Sequence, residues 1–553
     1  MEKIWLKSYA KGVPAEIAPS RYPSLVAMVE ESFSRFAAKT AYISMGRELS
    51  YAELDRLSQN FASYLQSIGL GKGSRVALMM PNVLQYPVCL FGLLRAGCVA
   101  VNCNPLYTAR ELEHQLKDSG AEAIVVVENF ASTLQQALPK TAVKHVVVAT
   151  VGDMLGTVKG PAINFILRKV KKVVPAWSIP GAISFNDALA TGGNRTLTPV
   201  TVGPEDLAFL QYTGGTTGVS KGAMLTHRNI VSNVLQAEAW ISPPVQEGCE
   251  LIVTALPLYH VFALTANCLV FLMVGASNLL IVNARDIKGM VKEMGKYPFT
   301  VITGVNTLFN ALLNNEDFCK LDFSRLLVTL GGGMAVQRAV AERWEKVTGK
   351  PLAQAYGLTE TSPAATINPL SLSGFNDSIG LPISSTEVAI RDDHGHDVTQ
   401  GQVGEICIRG PQVTSGYWQR PEETALVFHP DGFLRTGDMG YMDKDGFIFL
   451  VDRKKDMILV SGFNVYPNEV EAIAVTHPGV LEAAAIGIPD GHSGEAVKLF
   501  VVRKDPNLTA EALIAHCRTQ LTAYKVPRYI EFRADLPRTN VGKILRRALK
   551  EGT

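Results

Sequence analysis

Short, wholly apolar runs recur between segments of helical period from about residue 40 to residue 370. Arg75-Val-Ala-Leu-Met-Met, Val99-Ala-Val-Asn, Ala123-Ile-Val-Val-Val, His145-Val-Val-Val and Val301-Ile-Thr-Gly lack the polar alternation of a half-exposed strand, so they predict strands covered on both faces. Interleaved with helices, such strands predict an α/β fold of doubly wound, mostly parallel sheets. From 384 to 451 the pattern changes to short strands separated by Asp392-Asp-His-Gly, Gln400-Gly and Asp443-Lys-Asp-Gly446, which predicts a β-rich subdomain. The charged run Asp452-Arg-Lys-Lys-Asp456 marks a boundary at 452–456. It divides an N-terminal domain, 1–451, from a small α+β domain at 457–553.

Two apolar stretches raise the question of a membrane. Between Glu250 and Arg285 only His260 can carry charge, and the stretch is long enough to cross a bilayer. Pro257, Asn267, Gly275, Ser277 and Asn278 interrupt it, however, and split it into a strand at 251–255, a helix at 260–273 and a strand at 278–282. A buried αβ unit is therefore expected. Further upstream, Ile163, Ile166, Leu167, Val170, Val173 and Val174 recur at helical spacing, with Arg168, Lys169, Lys171 and Lys172 between them. That pattern predicts a basic amphipathic helix, and it leaves two placements open: packed on the core, or lying on an anionic membrane.

Composition narrows the field. A chain of 553 residues is too long for a single core. Its net charge of +2 and the lack of an arginine stripe interleaved with aromatics argue against nucleic acid as a partner. The eight cysteines form no C-x-x-C pair, so neither a zinc site nor a disulfide framework is expected, and a reducing cytoplasm fits. Met1-Glu-Lys-Ile-Trp-Leu-Lys-Ser-Tyr lacks the apolar core of a secretory signal.

The densest chemical signal is Tyr212-Thr213-Gly214-Gly215-Thr216-Thr217-Gly218-Val-Ser220-Lys221-Gly222. Glycines let backbone N–H groups approach phosphate oxygens, the hydroxyls add short donors, and Lys221 supplies a point charge. An apolar strand precedes the loop and a helix from 226 to 240 follows, so a strand-to-helix turn holding ATP is expected. The spacing departs from the Walker loop because Gly222 follows the lysine.

Four further segments occur in order: Gln354-Ala-Tyr-Gly-Leu-Thr-Glu-Thr-Ser-Pro363, Thr436-Gly-Asp438, Asp452-Arg-Lys-Lys-Asp-Met-Ile458 with Ser461-Gly-Phe-Asn464, and Pro537-Arg-Thr-Asn-Val-Gly-Lys543-Ile. Together with the loop they resemble the adenylate-forming superfamily across nearly the whole chain. The resemblance implies that an acid is activated to an acyl-adenylate and then passed to CoA. It implies that Thr359 and Glu360 touch phosphate and that Glu360 holds Mg²⁺, a hard cation suited to oxygen ligands. Gly331, Gly332 and Gly333 with Tyr356 and Gly357 look like the adenine slot. Asp438 and Arg453 are similar to the ribose pair, and Lys221 to the pyrophosphate lysine. By the same likeness Lys543 enters the site for adenylation, Asp452 and Lys455 belong to the hinge with Lys455 as its pivot, and Ser461 with Gly462 lines the pantetheine tunnel.

Leu256-Pro-Leu-Tyr-His-Val-Phe-Ala-Leu264, the run from Lys296 to Asn310 and the run from Val451 to Glu469 resemble bacterial long-chain fatty-acid–CoA ligases. Here the likeness implies His260 near the acyl carboxylate and Gly304, Val305 and Leu264 along an acyl tunnel. Some relatives carry a tryptophan gate where Leu264 stands, so that gating does not carry over. Alternatives are a ligase for medium-chain or aromatic acids, a luciferase-like oxidation, which no residue favours, and a non-catalytic fatty-acid uptake protein, which has no need of Lys221, Glu360, Asp438, Arg453 and Lys543 together. Expected partners are a long-chain fatty acid, ATP and CoA. Peripheral contact with the inner membrane from the cytoplasmic side and a homodimer stay open.

Overall fold

A computed structural model describes residues 2–213, 220–242, 244–461, 463–491, 493–539 and 542–551. Among these, the apolar runs form two large sheets. A seven-stranded sheet carries 75–79, 99–102, 123–127 and 145–149 as parallel neighbours, and a nine-stranded sheet carries 251–254, 277–280, 301–304 and 328–331 likewise. Val76, Leu78, Ala100 and Ile124 are fully buried, as expected of strands covered on both faces. The doubly wound α/β expectation holds.

The two sheets are stitched together by polar side chains. Asn82 donates to the carbonyls of Thr254 and Leu256 and accepts from the N–H of Leu258, at 3.0, 2.9 and 2.8 Å. Tyr86 donates to the carbonyl of Leu258 at 2.9 Å, and Gln211 to that of Tyr259 at 2.8 Å. Each satisfies a loop carbonyl that burial would otherwise strand. The segment 254–260 is thus held from the seven-stranded sheet although its own strand belongs to the other.

A four-stranded antiparallel sheet, Glu387–Arg391, Gly404–Arg409, Leu434–Met442 and Ile448–Arg453, forms the β-rich part. Its last strand reaches Arg453, so Asp452 and Arg453 are ladder residues, paired with Met439 and Asp438. Beyond it, a five-stranded sheet with helices Pro467–Ala474, Ala510–Arg518 and Arg546–Lys550 gives the α+β unit.

Three local expectations are corrected. The phosphate loop does not run straight into a helix: Lys221–Thr226 is a strand antiparallel to Leu207–Thr213, with Thr213 opposite Lys221. Gly222 packs tightly there, since a Cβ would sit 3.1 Å from the Tyr212 ring. The helix starts only at His227, capped by Thr226, which accepts from Asn229 N–H. Second, the helix at 260–273 is π-helical over Ala263–Leu269 before an α-turn at Val270–Met273. Its flanking strands are Leu251–Thr254 and Ser277–Leu280, and no helix among the described residues is long and apolar enough to cross a membrane. Third, the basic amphipathic segment is an α-helix only over Lys159–Phe165, followed by a π-turn at Ile166–Val170.

Candidate active site

The site forms where the C-terminal ends of the nine-stranded sheet meet the β-rich sheet and the α+β unit. Register sets its floor. Gly304 pairs with Gly331 at neighbouring strand ends. A Cβ on Gly304 would lie 2.8 Å from Phe309, one on Gly331 2.7 Å from Val336, and one on Gly332 3.0 Å from Phe262. Gly333 has φ +75°, and a Cβ there would lie 3.7 Å from Val305, an ordinary contact. At Gly357 a Cβ would fall 1.8 Å from the carbonyl oxygen of Pro363. Four of these five glycines are therefore required by close packing, and they leave a bare floor as a by-product.

Tyr356 stands on the strand Ala353–Gly357 and donates its hydroxyl to Asp438 Oδ2 at 2.7 Å. Arg453, across the antiparallel ladder, places Nε 3.2 Å from Asp438 Oδ1. Burial, then the charge of Asp438, pushes the Tyr356 phenol well above its usual range, so it stays a neutral donor. Thr436 accepts from the N–H of Asp438 at 3.0 Å and fixes that turn. Together they give a buried carboxylate oriented by a phenol and a guanidinium, a natural acceptor for a sugar diol.

Glu360 lies in the single turn Thr359–Thr361 and is buried. Tyr417 donates to its Oε1 at 2.7 Å, and Thr414 N–H to its carbonyl at 2.8 Å. No cluster of three or more His, Cys, Asp or Glu able to hold a metal occurs among the described residues. A magnesium ion here would take Glu360 plus oxygens of the nucleotide, in keeping with its habit of binding through one or two carboxylates and phosphates.

Lys221 pairs with Glu423 and lies 5.4 Å from the centre of the Tyr417 ring. Asp118 accepts from Tyr212 at 2.7 Å and from Arg420 at 2.7 Å, while His114 Nε2 donates to the carbonyl of Ser220 at 3.0 Å. Both ends of the phosphate loop are thereby held. Gly214, Gly215, Thr216, Thr217 and Gly218 lie outside the described residues, as does Gly462.

His260 follows the stitched segment. Burial first, and then nearby Lys543, lowers its pKa to about 4, so it is neutral. Its Nδ1 accepts from Phe262 N–H at 3.3 Å, which leaves Nε2 to carry the proton. Val305 is buried and Leu264 is fully buried within the π-turn.

The C-terminal unit closes over this floor. Gly542, at φ +85°, is so near the segment 305–307 that a Cβ would lie 2.7 Å from Thr307 Oγ1. Lys543 N–H donates to Thr539 Oγ1 at 3.0 Å, and the Lys543 carbonyl accepts from Thr539 N–H at 2.6 Å. Burial lowers the Lys543 pKa to about 8, helped by Arg453 and opposed by Asp438. One lysine is thus within electrostatic reach of the Asp438–Arg453 pair and also of His260. Behind it, Arg546 pairs with Glu471 at 2.9 Å, Asp456 at 3.6 Å and Asp452 at 3.9 Å. Asp452 is fully buried and accepts from the N–H groups of Arg453 and Asn468 at 2.7 and 2.8 Å. Burial also depresses Lys455. Ser461 is exposed in a turn, with φ +51° and its N–H donated to the carbonyl of Ser493 at 2.7 Å.

Sequence reasoning singled out Lys221, Glu360, Asp438, Arg453, His260 and Lys543 but missed their partners His114, Asp118, Tyr417, Arg420 and Glu423. The run Gly416-Tyr-Trp-Gln-Arg-Pro-Glu-Glu423 held the one usable signal, aromatic and charged residues crowded together after a strand.

Comparison with known proteins agrees with this geometry. The AMP-binding enzyme family matches residues 29–418, and the AMP-binding enzyme C-terminal domain matches 469–543. The chain is 58% identical over 552 residues to a long-chain-fatty-acid–CoA ligase of Escherichia coli O157:H7, covering 100% of this chain and 98% of that protein. It is 52% identical over 555 residues to the long-chain-fatty-acid–CoA ligase of Haemophilus influenzae, with the same coverage. Among solved structures, the anthranilate CoA ligase AuaEII in complex with anthranoyl-AMP superposes with a TM-score of 0.85 at 26% identity, over 97% of this chain and 99% of that one.

Proposed function

Because the chain belongs to the AMP-binding enzyme family, we infer that Lys543, His260, Glu360, Asp438 and Lys221 divide between them the work of a long-chain fatty-acid–CoA ligase. The reaction uses ATP, Mg²⁺ and CoA. A carboxylate oxygen of the fatty acid attacks the α-phosphorus of ATP, the bond to the β-phosphate breaks, and pyrophosphate leaves. The sulfur of CoA then attacks the acyl carbon of the adenylate, its proton is lost, and AMP departs.

Each residue answers a physical demand of the first step. Two anions must meet, so a cation has to screen them, and the burial of Lys543 makes its charge count for more than it would in water. His260, neutral and with its proton on Nε2, donates to the carboxylate without neutralising it. Asp438, held by Tyr356 and Arg453, takes the ribose. Thr359 lies against phosphate, Glu360 shares Mg²⁺ with phosphate, and Lys221 exchanges Glu423 for departing pyrophosphate. The adenine lies on Gly331, Gly332, Gly333 and Gly357 beside Tyr356, and the acyl chain runs past Gly304, Val305 and Leu264.

The carrying observation is that buried Lys543 lies within electrostatic reach of both Asp438–Arg453 and His260. On this reading the arrangement is the adenylating one, and the domain beyond residue 456 turns about Asp452–Lys455 to let CoA reach Ser461 and Gly462. We also propose a cytoplasmic enzyme in peripheral contact with the membrane. CoA-dependent release of AMP and pyrophosphate should be measured with saturated acids of increasing length and with cinnamate. An apolar tunnel gives about 0.8 kcal/mol per methylene, hence about a fourfold rise in kcat/KM per added carbon until the tunnel is full. Turnover of cinnamate alone would refute the fatty-acid assignment, and turnover of no acid would refute the ligase.

A further inference from the structure

The basic amphipathic segment presents two apolar faces. One side seats it: Ile163 packs against the core, Asn164 accepts from Gly152 N–H at 2.9 Å and donates to Thr150 Oγ1 at 2.8 Å, and Arg168 forks onto buried Glu128. Gly160 approaches so closely that a Cβ would lie 2.3 Å from the Gly152 carbonyl oxygen. The rotation of this helix is therefore fixed. Its other side carries Val158, Phe165, Ile166, Val170 and Val173, at 81, 61, 39, 66 and 47% exposure. Phe165, Ile166 and Val170 sit on the helical stretch, Val158 lies just before it and Val173 just after it, and all five are open to solvent.

Along the chain, the charge of this stretch has one sign. Between Asp153 and Asp187 there is no acidic residue, while Lys159, Arg168, Lys169, Lys171 and Lys172 all fall in that interval, in a chain whose net charge is only +2. Lys169, Lys171 and Lys172 are exposed. A second copy of the chain is a poor occupant, because an isologous contact would bring these cations against themselves. A purely polyanionic partner would leave Phe165 and Val170 unused.

We propose that this face docks on an anionic phospholipid bilayer, the lysines at the headgroups and Phe165, Ile166 and Val170 at the acyl boundary. The proposal rests on the peripheral-contact reading above and names its surface and lipid class. For an enzyme whose substrate partitions into bilayers, such docking puts the site where the acid is concentrated.

The test is co-sedimentation with vesicles, without ATP, acid or CoA. One set contains phosphatidylglycerol in phosphatidylethanolamine, the other only phosphatidylcholine. Wild type should bind the anionic set at least tenfold better at low salt. The variant K169E/K171E/K172E should lose about a hundredfold on that set, since each lysine near such a surface contributes about 1 kcal/mol. The variant F165S/V170S should lose binding to both sets. Turnover of soluble octanoate should be unchanged in both variants, which shows that they fold and separates this proposal from the ligase assignment. No binding by wild type would overturn the membrane reading itself. Undiminished binding by both variants would overturn the surface. Conversion of a dimer to a monomer by F165S/V170S, with vesicle binding intact, would assign this face to self-association and overturn the proposal.

Discussion

The charge on Lys543 offers the sharpest test of the proposed first step. Burial and Arg453 bring its pKa from the ordinary 10.5 to about 8. At about 1.36 kcal/mol per unit, holding the ammonium in the closed site costs roughly 3 kcal/mol, which the carboxylate and α-phosphate must offset. Below pH 8 the lysine of the free enzyme is charged; above it the charge is lost, to about one tenth at pH 9. Adenylation, followed as ATP–pyrophosphate exchange, should therefore show a kcat/KM that is level near pH 7 and falls toward tenfold per unit above pH 8. K543R should show no such limb, because a guanidinium keeps its proton. Stability runs the other way. The unfolded chain binds this proton up to about pH 10.5 and the folded chain does not, so the contribution of Lys543 to stability rises between pH 8 and 10.5. The Lys543 contribution to stability thus does not imitate the loss of rate, and buried thiols such as Cys89 and Cys268, whose pKa burial raises, act in the opposite sense only above about pH 9. A wild-type profile flat to pH 9.5, or an identical limb in K543R, would refute the assignment.

Two further outcomes follow from single contacts. Y356F removes the 2.7 Å bond to Asp438 and should raise KM for ATP about tenfold with a smaller change in kcat, the effect of a hydrogen bond to a charged group of about 1.5 kcal/mol; an unchanged KM would exclude Asp438 as the ribose acceptor. G357A places a methyl group 1.8 Å from a backbone oxygen and should lower the denaturant midpoint by the equivalent of 3 kcal/mol or more, roughly the upper range for overpacking, whereas G71A, with nothing within 4 Å, should leave it in place.

What could be read in the sequence followed the range of the forces involved. Doubly buried strands such as 123–127 announce themselves because every position is apolar, and glycine-rich loops because few other residues fit. The strand Lys221–Thr226 escaped because it is short, opens with lysine and glycine, and is held mainly by its partner strand. Likewise the π-turn at Ala263–Leu269 leaves no mark in an apolar run whose period cannot be counted. Contacts across the fold were wholly hidden. Tyr417 lies 57 residues from Glu360, and Arg420 lies 302 from Asp118, distances at which spacing carries no information. The split of the segment 158–173 into a seated and an outward face depended on Thr150, Gly152 and Glu128, which no helical wheel of the segment alone contains.

The stitching of segment 254–260 has one more consequence. Gln211 holds the carbonyl of Tyr259, one residue before His260, and is itself two residues before Thr213, the last residue of the strand that leads into the loop. His260, the proposed carboxylate donor, and the strand that leads into the proposed phosphate loop therefore hang from a single strut. Their separation is gauged by covalent geometry and one short bond, independently of whatever fills the far end of the acyl site. Such a gauge lets the pocket drift toward longer or shorter acids over generations while the spacing at the reacting atoms stays put.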